Sequence, residues 1–157
     1  MTTKRIVYEM DGVLLVVIPA VKAMRPEETE DAFLSRLVAL NVPEGTPFVI
    51  LNAADLPDRR FRACWEMISG RVTVNVVKAK GVVLENVRTE RNRRIASSDA
   101  LFARGQDTGP ATFLLAVRQY RQLLRDLPDM VSLQIAGLDL AGLQAYVPPW
   151  PVTPEGV

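Results

Sequence analysis

The arginines of this chain have the most obvious capacity for chemistry. Arg88, Arg91, Arg93 and Arg94 form its densest basic cluster, and two uses suit such a group. One is a nucleic-acid ridge, with guanidinium groups set against phosphates. The other is a solvated or ion-paired helix face near a helix C-terminus, where the macrodipole favours cations. Glu85, Glu90 and Asp99 interrupt the positive field and no aromatic side chain interleaves it, which favours the ion-paired face. A second basic stretch, Asp58-Arg59-Arg60-Phe61-Arg62-Ala63-Cys64-Trp65-Glu66, mixes arginines with aromatic residues. It suits phosphate contact with Phe61 or Trp65 as a stacking surface. It equally suits a short turn or helix that pins both aromatics into a core while the arginines stay wet, and without a wider basic surface the second use is favoured.

Other chemistries are removed by composition. The chain has no histidine and a single cysteine, Cys64. Ser-His-Asp and Cys-His catalysis, His-based zinc sites and CxxC redox chemistry are therefore excluded. Carboxylate-only catalysis and an oxygen-ligated metal would remain, but no motif for either is present. No catalytic residue, metal or cofactor is expected, and the chain reads as a non-enzyme. One thiol gives no disulfide framework and fits a reducing, intracellular setting.

At 157 residues with a net charge of +1, the chain is long enough to bury about two-thirds of its unfolded surface without staples. Its charge balance gives no global attraction to nucleic acid or membrane. The N-terminus does not read as a signal peptide, because the apolar run Val13–Ile18 is short and follows an acidic residue. No segment approaches the ~20 apolar residues needed to span a bilayer, so a soluble protein without a membrane partner is expected.

The element that must position the arginines is the stretch from Asn75 to Asp99. Val76, Val83, Val87 and Ile95 are separated by seven, four and eight positions, which keeps them on one side of a helix. Leu84 widens that stripe. Gly81 inside it costs about 1 kcal/mol relative to Ala, or marks close backbone packing. Upstream, Lys4–Glu9 and Val13–Ile18 flank Asp11-Gly12 and read as a β-hairpin. A helix is expected from Pro26, burying Phe33, Leu34, Leu37, Val38 and Leu40 and stopping at Pro43. Pro47–Leu51 suits a buried strand, and Met67-Ile68 with Arg71–Val74 suggests a second hairpin across Ser69-Gly70.

Downstream, Gly105 to Pro110 breaks the chain, and a new helix follows. Its Phe113, Val117, Tyr120, Leu124 and Leu127 step by four, three, four and three, an apolar seam that Pro128 should close. A seam this regular needs a partner, and an antiparallel pair with the 75–99 helix is expected. Leu133, Ile135, Leu138, Leu140 and Leu143 suit a short amphipathic element interrupted by Gly137 and Gly142. Tyr146–Pro151 should be extended, and Trp150 either folds back on the helix pair or serves as a docking peptide. The expected class is α+β: N-terminal antiparallel β-hairpins with a packed helix, then a C-terminal antiparallel helix pair. The boundaries expected are residues 1–74, 75–128 and 129–157.

Several motifs carry a family resemblance. Arg88, Arg91 and Asn92 stand as Arg-x-x-Arg-Asn on a helix ending in Ser98-Asp99. After a loop comes Tyr120-Arg121-Gln122-Leu123-Leu124-Arg125-Asp126-Leu127-Pro128, and Trp150-Pro151 marks the tail. In these respects the second half resembles the tail-assembly-chaperone and tail-fibre-assembly type of protein of bacteriophages and prophages. The Arg5-Ile6-Val7-Tyr8…Asp11-Gly12 hairpin and the Asp58–Glu66 segment are similar to the N-terminal regions of small phage proteins.

The resemblance implies a protein that works by protein–protein contact on a phage tail or tail-fibre protein. It would act in the host cytoplasm during assembly, with a structural part of the virion tail or baseplate as the alternative; a small nucleic-acid-binding regulator, resting on Arg59–Arg62 and Arg88–Arg94, is a second alternative of a different class. A homo-oligomer is compatible with it. The partner-binding residues it implies are Arg88, Arg91, Asn92, Arg94, Asp99, Tyr120, Arg121, Arg125 and Trp150. An assembly chaperone needs an apolar surface with a charged rim, and the exposed side of the helix pair and the Pro-Trp tail are the candidate surfaces.

Overall fold

A computed structural model of the chain describes residues 3–155. Residues 1–2 and 156–157, the outer ends of the first and last segments marked out above, lie outside the described residues. The chain forms two compact units, Met1–Asn75 and Val76–Val157, and the architecture is α+β. Residues 129–157, set apart by sequence, fall within the second unit.

In the first unit, β1 (Lys4–Met10) and β2 (Val13–Val17) form the expected hairpin. Asp11 and Gly12 take φ values of 52° and 75°, the pair of left-handed positions that a tight I′ turn demands. Strand β3 (Phe48–Asn52) adds to β1, giving an antiparallel sheet of order β2-β1-β3. A second hairpin, β4 (Trp65–Ile68) and β5 (Arg71–Val74), turns at Ser69-Gly70 with φ values of 50° and 74°.

Register explains the core. Val7 lies opposite Val16 on one side and Val49 on the other, so all three project from one face. Val7 and Leu14 of that face join Trp65 and Val72 of the second hairpin in one buried cluster.

Two expectations are corrected here. The run Pro47–Leu51 is not a buried strand: β3 is an edge of its sheet, with Phe48 and Ile50 over 40% exposed. The central position goes to β1, whose Ile6 and Val7 are wholly buried, and an edge strand has a neighbour on one side only. Helix α1 (Glu30–Asn41) starts later than Pro26. Glu27 sits at φ 67°, outside helical backbone, and Thr29 is the cap, its side chain accepting from the Ala32 N–H. Phe33 and Leu34 are buried as expected, whereas Leu40 is 71% exposed.

The second unit is helical: α2 (Val76–Ser97), α3 (Asp99–Asp107), α4 (Ala111–Ile135) and α5 (Leu140–Ala145). Lys80, early in α2, donates to the Ala136 carbonyl at the end of α4. Ser98, just past α2, meets Arg121 in the first half of α4. The two long helices therefore run antiparallel, as the seam predicted. Phe113, Val117, Tyr120, Leu124 and Leu127 are all buried.

Pro128 does not close the seam. It lies buried inside α4, which continues to Ile135 and absorbs Leu133 and Ile135 from the expected tail element. An interior proline costs about 3 kcal/mol. The extra turns bury Val131 and Ile135 almost completely, at about 1.5–3 kcal/mol each, enough to offset it.

The break at Gly105–Pro110 is likewise shorter than expected, because α3 runs through Asp107. Gly105 is a packing residue: a Cβ there would stand 3.3 Å from the Cα of Leu114. At Gly81 a Cβ would meet nothing within 4 Å, so that glycine marks no close contact.

The seam gives the first test. Leu124→Ala should lower unfolding free energy by about 2–5 kcal/mol, whereas Leu123→Ala, one residue earlier and 57% exposed, should stay within about 0.5 kcal/mol. Urea melts followed by helical circular dichroism would show it, and equal losses would refute the burial pattern.

Candidate functional site

Most of the residues implied by the resemblance gather where α2 ends and the chain turns into α3. Ser98 makes that turn. Its backbone is helical, its N–H reaches the Arg94 and Ile95 carbonyls, and its hydroxyl donates to Ile95 at 2.6 Å. Only 2% exposed, it also accepts from Arg121 Nη1 at 3.2 Å, while the same nitrogen binds Asp99 Oδ1 at 2.6 Å. Arg121 thus ties α4 to the α2–α3 junction, and its guanidinium lies 5.3 Å from the Phe102 ring centroid.

Three arginines of the α2 cluster are ion-paired within their own helix. Glu90 accepts from Arg93 at 2.7 Å and from Arg94 at 2.8 Å, and Arg88 lies 3.6 Å from Glu85. These are the one-turn pairings that helix geometry favours. The hydrogen bonds from Arg93 and then Arg94 hold the Glu90 carboxyl down at about 2, against an ordinary value of 4.5. Arg91 differs, for its Nε is buried without a hydrogen-bond partner.

The tail folds back onto its own unit. Arg94 lies 4.4 Å from the Trp150 ring centroid, a cation–π contact. Tyr146 donates to Gln134 at 2.6 Å, and Thr153 comes within 3.5 Å of the Tyr120 hydroxyl. Of the two fates open to Trp150, the internal clasp is the one present.

Two concave surfaces result. One, about 300 Å³, is lined by Arg93, Arg94, Ser97, Leu101, Tyr120 and Thr153. The other, about 270 Å³, is formed by Phe102, Arg118, Arg121 and Arg125. Residues 118, 121 and 125 follow helical spacing and share one side of α4. Arg118 and Arg125 make no ion pair among the described residues.

No protein-family model, curated protein or solved structure matches this chain.

The structure thus brings Arg94, Asp99, Tyr120, Arg121, Arg125 and Trp150 into one region, while Arg88 and Asn92 line neither concavity. Arg118, Phe102 and Thr153 escaped the sequence reading. The spacing of Arg118 to Arg121 and Arg125 was a usable signal; Phe102 and Thr153 needed the chain reversal. No group of three or more metal-ligating His, Cys, Asp or Glu side chains occurs among the described residues, and no described helix is long and apolar enough to cross a membrane.

Two tests follow from this geometry. A carboxyl whose folded value lies below its unfolded one supports folding while ionised. The Glu90 contribution is therefore present above about 4.5 and lost as pH falls towards about 2. Glu90→Gln should flatten the fall of melting temperature across that window, with part retained because Glu28, paired with Arg36, is also held at about 2. A wild-type slope in the variant would contradict the assignment. Trp150→Ala should lower the melting temperature, since a clasp is lost; a docking tail would leave it unchanged.

Proposed function

We propose that this protein is a non-enzymatic, bacteriophage tail-associated factor that works by protein–protein contact in tail or tail-fibre assembly. The observation that carries the proposal is the outward face of α4. Leu115, Leu123, Met130 and Leu133 are 55%, 57%, 41% and 80% exposed. Their positions fall within about a quarter-turn of helix circumference. They share a side of α4 distinct from the buried seam, with Gln119 and Asp126 among them and Arg118 and Arg125 along one edge.

Exposed apolar side chains with charged neighbours suit a helix or extended segment of a partner that must be kept from aggregating. The Tyr120–Pro128 run that carries the phage resemblance is divided between the two sides. Tyr120, Leu124, Leu127 and Pro128 are core; Gln122, Leu123, Arg125 and Asp126 are surface. The arginines would supply orientation and association rate more than affinity. Ion pairs engage three of the α2 arginines, which weakens the nucleic-acid alternative.

Leu123→Ser with Leu133→Ser should keep the wild-type melting temperature yet abolish cross-linking to a tail or tail-fibre protein in phage-producing cells. Arg118→Ala with Arg125→Ala should slow capture about tenfold or more at low salt. Quantitative mass spectrometry of purified particles beside their lysate separates the two phage roles. Abundance in lysate with absence from particles marks an assembly factor, and a fixed ratio to tail proteins marks a structural component. A cross-linked partner unrelated to tails would overturn the phage reading.

A further inference from the structure

The first unit holds a cleft that the proposed function does not use. It measures about 280 Å³ and lies where the apolar layer between the three-stranded sheet and the second hairpin opens to solvent. Ile6 pairs with Val17, so Arg5 and the exposed Ile18 follow across the same strand pair. They fall on the face that carries Val7 and Val16. Val16, Ile18, Leu56 and Pro57 give the cleft aliphatic walls, and Arg5, Arg59 and Arg62 stand around it.

Local structure accounts for the arrangement. Arg59–Cys64 is made of 3-10 turns that kink at Phe61, whose φ is −103° and ψ 22°. Phe61 and Cys64 are buried, at 3% and 1% exposure, while Arg59 and Arg62 are exposed and both line the cleft. Neither arginine makes an ion pair among the described residues. The one carboxylate lining the cleft is already engaged: Asp58 accepts from the Arg60 N–H at 2.9 Å and from Arg60 Nε at 3.0 Å.

The walls also say what does not bind. Trp65 is 6% exposed and Phe61 3%, so neither offers the open ring face that stacks a nucleobase. What remains is an aliphatic floor under an arginine rim. Guanidinium forks match carboxylates in bidentate fashion, and the volume is near the lower end for a small-molecule site.

We infer that this cleft binds an aliphatic carboxylate, its hydrocarbon body against Val16, Ile18 and Leu56 and its head group held by Arg59, Arg62 and Arg5. The carboxylate is either a free acid or the terminal group of a polypeptide ending in an aliphatic residue. The site is independent of the α4 surface.

Calorimetric titration of the full chain with octanoate at low salt tests it. Saturable one-to-one binding is expected, weakening as salt is raised. Octanol should bind at least about tenfold more weakly, and Arg59→Gln with Arg62→Gln should cost a similar factor at unchanged melting temperature. Octanol binding as tightly as octanoate, inorganic phosphate displacing octanoate at equal affinity, or full affinity in the arginine variant would each overturn the proposal. Acetyl-Gly-Gly-Leu, as free acid and as amide, then identifies the source. Tighter binding by the peptide acid than by octanoate assigns a polypeptide terminus, and weaker binding assigns a free acid. No binding by either acid overturns the site.

Discussion

The buried stripe of α4 is the constraint on which the second unit depends. Val117, Leu124 and Val131 recur every seven residues and are wholly removed from solvent, with Phe113, Tyr120, Leu127 and Ile135 beside them. α2 has Ala79 and Val87 as its buried residues, and α3 approaches α4 beside the stripe through Gly105, against Leu114. A side chain at Gly105 would require that neighbour to shift. The same stripe carries the helix through Pro128, because the area buried beyond the proline offsets the hydrogen bond that the ring removes.

The arginines show how one residue type acquires opposite roles from its neighbours. On α2, Arg88 pairs with Glu85 while Arg93 and Arg94 share Glu90, so the densest basic run is only partly compensated. Arg94 has a further use as a cover for Trp150. On α4 only Arg121 is matched, by Asp99, and it is committed to holding the chain reversal. Arg118 and Arg125 are left to face solvent beside exposed apolar side chains. Arg118 and Arg125 are set apart by lacking a carboxylate partner among the described residues, not by standing on the more basic helix.

In the first unit the decisive feature is the order of the strands. Placing β1 in the centre leaves β2 and β3 as edges, and exposes Phe48 and Ile50 in a run apolar enough to suggest a core strand. The second hairpin covers one face through Trp65 and Val72. The 3-10 segment before it turns Phe61 and Cys64 inward and its arginines outward. The resulting aliphatic cleft with a cationic mouth follows from the kinked turns of that segment and the period two of the strands, brought together at one end of the layer.

Local features were legible in the sequence wherever a backbone conformation or a short period decides them. Asp11-Gly12 and Ser69-Gly70 favour left-handed positions on steric grounds alone, which set both hairpins. The spacing of Phe113 to Leu127 set the α4 seam and called for an antiparallel partner, and the glutamates one turn from Arg88, Arg93 and Arg94 made the ion-paired face readable. What tertiary structure alone decided was competition between elements. The edge position of β3, the continuation of α4 past Pro128, the close approach at Gly105 and the capture of Trp150 by Arg94 all depend on area buried against residues distant in sequence. A propensity that costs a few kcal/mol locally is overridden when that burial returns more, and no window along the chain contains both sides of the comparison.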